Sequence, residues 1–210
     1  MIYELKETDR ASILFADWQD SVVWSALQGV MGKIYVDSLE KPESGAVILG
    51  DFCFLSGKPE SEIVSGALVN SASEELILVP QNDDWARMIK KCYGEKAEKA
   101  IRYAIKKEPG IFDLKQLQKA AQSLPGEYEM RLIDQELFEI CRDTQWSKDL
   151  TANYEGYSQY REYGLGVCIL TGGEVVAGIS SYSGSSWRSD ENLGCPGGIV
   201  IAVVTRADYR

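Results

Sequence analysis

Apolar residues recur at helical spacing in some stretches and at strand spacing in others, and this pattern lays out most of the chain. Leu14, Trp18, Val22 and Ala26 follow one another at i, i+4, with Leu27 and Val30 beside them. They predict an amphipathic helix over 11–30, capped by Asp9 and ended by Gly29 and Gly32. Residues 33–36 read as a short strand and 37–45 as a turn-rich connection. Residues 46–55 read as a second strand, in which Gly50-Asp51 implies a bulge or bend. Asp51 there is a turn carboxylate bonding local backbone or, alternatively, a catalytic acid. A helix over 60–70 follows, with Ile63 and Ala67 inward, then a buried strand at 76–80. The next helix, 83–93, is acidic at its start and basic further along, as the helix dipole favours, and carries Trp85, Met88, Ile89 and Cys92 as its apolar stripe.

Lys96, Lys99, Arg102 and Lys106 then fall near one helical face, the pattern of a solvated surface. Pro109-Gly110 breaks the chain, and Asp113 caps a helix over 114–123 with Leu114, Leu117 and Ala121 inward. Pro125-Gly126 breaks it again and sets the expected boundary between an N-terminal unit, 1–126, and a C-terminal unit, 127–210. Residues 128–133 read as a strand and 134–142 as a helix. Tyr154, Tyr157, Tyr160 and Tyr163 recur every third residue, a helix face whose hydroxyls either meet water or line a pocket. Strands at 164–170 and 174–180 flank the turn Thr171-Gly172-Gly173. After a polar loop, 197–205 is apolar and β-branched enough for a buried strand. Hairpin, buried strand and loop thus occur in the same order in both units, which suggests a degenerate internal duplication.

Composition narrows the function classes. A net charge of −10 argues against nucleic acid and against an anionic membrane surface, both of which need a basic face. No apolar run reaches the length of a membrane helix, and the N-terminus has no signal-peptide pattern. Five cysteines without a C-x-x-C suggest reduced thiols in a cytoplasm. The chain contains no histidine, which removes Ser-His-Asp and Cys-His nucleophile pairs and His-ligated zinc. Proton transfer is left to carboxylate, Tyr, Cys, Lys, water or a terminal amine. Acyl transfer from an activated thioester to an amine survives that restriction, because the protein mainly positions the amine and polarises the carbonyl.

Two blocks carry a family resemblance: 28–57, QGVMGKIYVDSLEKPESGAVILGDFCFLSG, and 164–210, a hairpin and apolar strand closing on Thr205-Arg-Ala-Asp-Tyr-Arg210. The chain resembles the GNAT acetyltransferases, in particular the bacterial two-part group. The resemblance implies an α/β, mixed-sheet fold of two GNAT-like halves with the second incomplete. It also implies acetyl-CoA as co-substrate and a small-molecule or peptide primary amine as acceptor. The amine would attack directly, with water or a tyrosine taking its proton. By the same resemblance, backbone of Val203, Val204 and Thr205 would splay from a neighbouring strand to hold the pantetheine. Arg210 would be the first residue of the Arg/Gln-x-x-Gly-x-Gly/Ala loop, whose amides and following helix N-terminus hold the pyrophosphate in that superfamily.

The chain departs from the pattern in three places. Val200, Ala202 and Val204 stand where the group usually has acidic residues. The loop 183–197 is longer than expected, and the sequence stops at Arg210 before any glycine loop. In the first half, Pro80 is followed by Gln81-Asn-Asp-Asp84, without glycine and with two carboxylates where phosphate would sit, so that half is expected to be scaffold. A missing neighbour strand would leave edges open and favour self-association into a homo-oligomer. The competing expectation is a non-catalytic binding or interaction protein derived from a GNAT enzyme.

Overall fold

The computed structural model describes residues 1–71, 75–101 and 112–185, and the backbone of 201–205. Among them are two sheets and six α-helices. The N-terminal sheet runs β1 (Tyr3–Glu4), β2 (Lys33–Val36), β3 (Ser44–Leu49), β4 (Phe52–Gly57), β5 (Ile77–Pro80) in that spatial order. The first four strands are antiparallel and β5 pairs parallel to β4. The C-terminal sheet is antiparallel throughout, in the order β6 (Tyr128–Leu132), β7 (Gly166–Thr171), β8 (Glu174–Ser181), β9 (Ile201–Thr205). The helices are α1 (Ser21–Leu27), α2 (Ser61–Asn70), α3 (Asp83–Tyr93), α4 (Leu114–Gln122), α5 (Gln135–Asp143) and α6 (Tyr157–Tyr163).

Side chains opposite one another in a ladder share a face, and each face of the N-terminal sheet has its own core. Ile34, Val47 and Phe54 point to one side, where they meet α1 and, across the halves, Leu137, Phe138, Cys141 and Tyr160. Tyr35, Ala46, Leu55, Ile48 and Cys53 point to the other, under Ile63, Val64 and Ala67 of α2 and Trp85 of α3. One apolar cluster therefore runs through both halves.

The structure corrects several expectations. The single helix over 11–30 is instead a 3-10 turn (Thr8–Ala11) followed, after further turns, by α1. Asp20, in extended backbone, caps α1 by accepting from the Val22 amide at 2.9 Å, while the Asp9 side chain caps nothing. Of the expected stripe Val22 and Ala26 are buried, whereas Leu14 and Trp18 are half-buried against the same core and lie outside α1, because the extended residue at 20 breaks the helix. The expected strand 46–55 is the hairpin β3–β4: Gly50, at φ +58°, supplies the positive φ of a two-residue turn and Leu49 pairs with Phe52. The second hairpin agrees with the sequence, with Gly172 and Gly173 both at positive φ between β7 and β8. β5, expected to be buried, is half-buried along its length because it is an edge strand. α4 is capped by Asp113 as expected, yet Leu114 and Leu117 are exposed and the helix buries nothing.

The duplication takes a different register from the one read in the sequence. β9 pairs antiparallel with β8, as β4 does with β3, whereas β5 is a parallel strand beyond β4. The strand 201–205 is therefore the counterpart of β4, and not of 77–80.

Candidate functional site

β9 is the end strand of its sheet, fixed by five pairs to β8: Ile201–Ser181, Ala202–Ser180, Val203–Ile179, Val204–Gly178 and Thr205–Ala177. Antiparallel pairing uses one edge of β9. Among the described residues no strand pairs with the other edge, so backbone N–H and C=O groups of 201–205 are directed away from the sheet. Residues 203, 204 and 205 thus lie on a strand edge that is unpaired among the described residues. Arg210, Val200 and 186–197 of the long loop lie outside the described residues.

The sheet behind β9 is set by small residues and tyrosines. Leu150, in the 3-10 turn Lys148–Leu150, packs directly on Gly178, where any side chain would collide with it. Tyr160 folds over Gly164 and Gly166, with its hydroxyl 3.0 Å from Ser180 Oγ. The Tyr154 hydroxyl lies 2.7 Å from Ser181 Oγ, which also accepts from the Leu165 amide at 2.9 Å. The tyrosine row is therefore neither wet nor a pocket wall at these two positions. Tyr154 and Tyr160 are buried and their hydroxyls are tied to the two β8 serines that pair with 201 and 202. Burial pushes the Tyr160 phenol up to about 12 and raises Tyr154. Cys141 and Cys168, 3.7 Å apart between their sulfurs, are buried beside Tyr160, and their mutual contact, with burial, pushes the Cys168 thiol up while the same contact lowers Cys141.

Asp51 is a turn residue with an unforeseen partner. Its carboxylate accepts from the Tyr182 hydroxyl, whose oxygen in turn accepts from the Asp51 amide at 3.1 Å and lies 3.1 Å from the Leu49 carbonyl. Tyr182 immediately follows β8, so the β3–β4 turn of the first half is bonded to the end of the second sheet. The phenol is held well above its ordinary range by burial and by the Asp51 carboxylate. Nothing in the spacing of residues 51 and 182 could have disclosed this contact.

The first-half counterpart of the segment after β9 is the link from β4 to α2, and its polar groups are already used. The Gly57 amide donates to Gln81 Oε1 at 3.0 Å, the Gly57 carbonyl accepts from Trp85 Nε1 at 2.9 Å, and the Lys58 amide donates to the Glu43 carbonyl at 2.8 Å. β4 and β5 stay paired from Phe52–Ile77 to Leu55–Pro80, and the Gln81 amide extends the ladder onto the Leu55 carbonyl. No splay opens between them. Residues 81–84, where two carboxylates were expected in place of phosphate, follow β5 and not β4, the counterpart of 201–205. At the loop that follows β4 the sequence has Gly57 as the last residue of an apolar strand, with Glu60 and Glu62 at the start of the following helix.

Among the described residues no cluster of His, Cys, Asp and Glu could hold a metal ion, and no helix is long and apolar enough to cross a membrane. A shallow groove lined by Glu4–Glu7, Arg10 and Leu39 draws no residue from the C-terminal sheet.

Comparison with known proteins places this architecture. A crystal structure of a GCN5-related N-acetyltransferase-like protein from Streptococcus suis 89/1591 is 39% identical, with a TM-score of 0.82 over 98% of this chain and 78% of that one. A Drosophila protein aligns over 100% of this chain and 91% of its own at 11% identity and a TM-score of 0.35, too slight a likeness to use. No curated protein matches the chain. The sequence profile of the GNAT acetyltransferases matches residues 12–210. The chain belongs to the GNAT acetyltransferase family.

Proposed function

We propose that this protein is an N-acetyltransferase that moves an acetyl group from acetyl-CoA to a primary amine. The observation that carries the reading is the position of β9: a counterpart of β4, fixed to β8 on one edge and unpaired among the described residues on the other. Backbone groups of Val203, Val204 and Thr205 on that edge suit the amide-bearing pantetheine arm, and Arg210 is the family's expected contact to the pyrophosphate. Acetyl-CoA supplies an acyl group already activated as a thioester. The amine nitrogen forms the new C–N bond, the C–S bond breaks, water or a tyrosine takes the amine proton, and CoA leaves as a thiolate that takes up a proton to become the thiol. In this reading 127–210 is the acyl-carrying unit and 1–126 the scaffold, in a cytoplasmic protein with reduced cysteines.

A second reading, a non-catalytic binding protein of GNAT descent, draws support from the first half. There the β4–β5 gap is zipped and the Gly57 amide is taken by Gln81. Thermal unfolding with acetyl-CoA separates the two. Ligand at 100-fold excess over its Kd stabilises the folded state by about 2.7 kcal/mol, and acetylation of a panel of primary amines should accompany the shift. No shift at millimolar acetyl-CoA and no transfer would leave the non-catalytic reading standing.

A further inference from the structure

Cys141 of α5 and Cys168 of β7 bring two thiols together inside the C-terminal half. Their sulfurs are 3.7 Å apart, and both side chains are fully buried. A disulfide needs about 2.05 Å, so a small shift separates the pair from bonding distance. The two thiols differ in character. Contact with Cys168, helped by the Ser147 hydroxyl, holds the Cys141 thiol below its ordinary value, while the same contact raises Cys168. They also differ in how firmly they are held. Cys168 lies inside its sheet, with Arg131 opposite on β6 and Gly178 opposite on β8. α5 has no ladder of its own and is seated by the buried side chains of Leu137, Phe138 and Cys141. The other described cysteines sit apart from this pair, Cys53 in the separate core of the first half and Cys92 exposed on α3.

We propose that Cys141 and Cys168 form a modification site, a thiol pair that hydrogen peroxide closes reversibly into a disulfide joining α5 to β7. The Cys141 sulfur, as thiolate, attacks one peroxide oxygen. The S–O bond forms, the O–O bond breaks, and hydroxide leaves with the thiol's proton as water, so Cys141 becomes a sulfenic acid. The Cys168 sulfur then attacks the Cys141 sulfur. The S–S bond forms, the S–O bond breaks, and hydroxide leaves with the Cys168 proton as a second water. Two thiols thus give up two electrons, and one peroxide becomes two waters. Burial makes the first step slow, because a local opening of the core must admit the oxidant. It favours the second step, because a thiol 3.7 Å away captures the sulfenic acid before another peroxide can carry it to sulfinic acid. The ladder holds Cys168 from both sides, so α5 takes up the shift. A small thiol reopens the bond by exchange. This inference does not depend on acetyl transfer.

The test is peptide mass spectrometry of the full chain after exposure to hydrogen peroxide, with remaining thiols alkylated and no reductant present during tryptic digestion. The expected product links residues 132–142 to residues 162–188, the tryptic peptides that carry Cys141 and Cys168. It should be two hydrogen atoms lighter than the sum of its parts, and dithiothreitol should return both peptides with free thiols. The linkage is read on the unaltered folded chain, so the test needs no variant to fold. Recovery of the two peptides unlinked, with their cysteines alkylated or as sulfinic acids, while Cys92 is oxidised, would overturn the proposal. So would a linkage that forms in urea and not in the folded chain, since proximity in the fold would then play no part.

Discussion

The N-terminal and C-terminal sheets both begin with four antiparallel strands in chain order, with helical segments between the first strand and the second. Beyond the fourth strand only the N-terminal sheet continues among the described residues. After β4 the chain adds α2, β5 and α3, which bury a second core and spend the polar groups of the β4–α2 link on Gln81 and Trp85. After β8 the corresponding strand β9 stands at the sheet's end, and the face that α2 and α3 cover in the first half carries exposed Leu132, Met130 and Ile179. The comparison teaches that what is laid beside the fourth strand of one strand plan decides whether that strand's second edge is paired, as in β4, or unpaired among the described residues, as in β9.

The sharpest way to break the closed half is Trp85→Ala. Trp85 is completely buried and its indole donates to the Gly57 carbonyl, so the variant should lose about 3–5 kcal/mol in a denaturant titration. Acetyl-CoA affinity of the molecules that remain folded should be unchanged if that half is scaffold. An affinity loss per folded molecule would erase the distinction between the halves.

Alkaline pH probes the other half. The Tyr160 phenol rises from 10.0 to about 12 in the fold, so the unfolded chain releases that proton first. Its contribution is fully present below pH 10 and is lost as pH climbs to 12, on the order of 2 kcal/mol. Tyr160→Phe should flatten that part of the stability–pH curve, and an unchanged slope would show that Tyr160 is not the titrating group.

Tyr182→Phe acts between the halves. It leaves the Asp51 carboxylate, the Asp51 amide and the Leu49 carbonyl without the hydroxyl they share, at a cost of about 1–2 kcal/mol. Amide exchange should speed up at both the β3–β4 turn and the end of β8. Acceleration at one site alone would mean that the contact does not couple the halves.

The smallest effect compares α1 and α5, which follow the first strand of their respective sheets. Asp20→Ala and Asp134→Ala each remove an N-cap and should each cost about 1 kcal/mol by thermal unfolding. The exposed pairing of Arg131 with Asp134 should add little. A much larger loss at one position would mean that the two helices carry unequal loads.

Local chemistry made much of this legible. Asp113 announced α4, the Gly172-Gly173 pair announced the second hairpin, and the acidic start and basic end of 83–93 marked α3 to the residue. Where the sequence misled, the deciding contact was distant. Gly50-Asp51 is a bend or a hairpin turn by its own chemistry, and the pairing of Leu49 with Phe52 selects the turn. Leu114 and Leu117 have the periodicity of a buried stripe, but periodicity records a face and not what covers it. The tyrosine row shows the same limit, since its third-residue spacing could not name Ser180 and Ser181 as the partners of two of its hydroxyls.

Short-range rules thus determined most of the helices and strands, the Asp113 cap and the Gly172-Gly173 turn, and that histidine-dependent chemistry is excluded. The family resemblance was legible too, because strand blocks and their turns are contiguous in sequence. Only the tertiary structure decided that 201–205 answers to β4, that Gln81 and Trp85 close the first half, and that Tyr182 reaches the Asp51 turn. Strand partnership and hydrogen bonds across some 130 residues are settled by packing, and local spacing carries no record of which distant group will arrive.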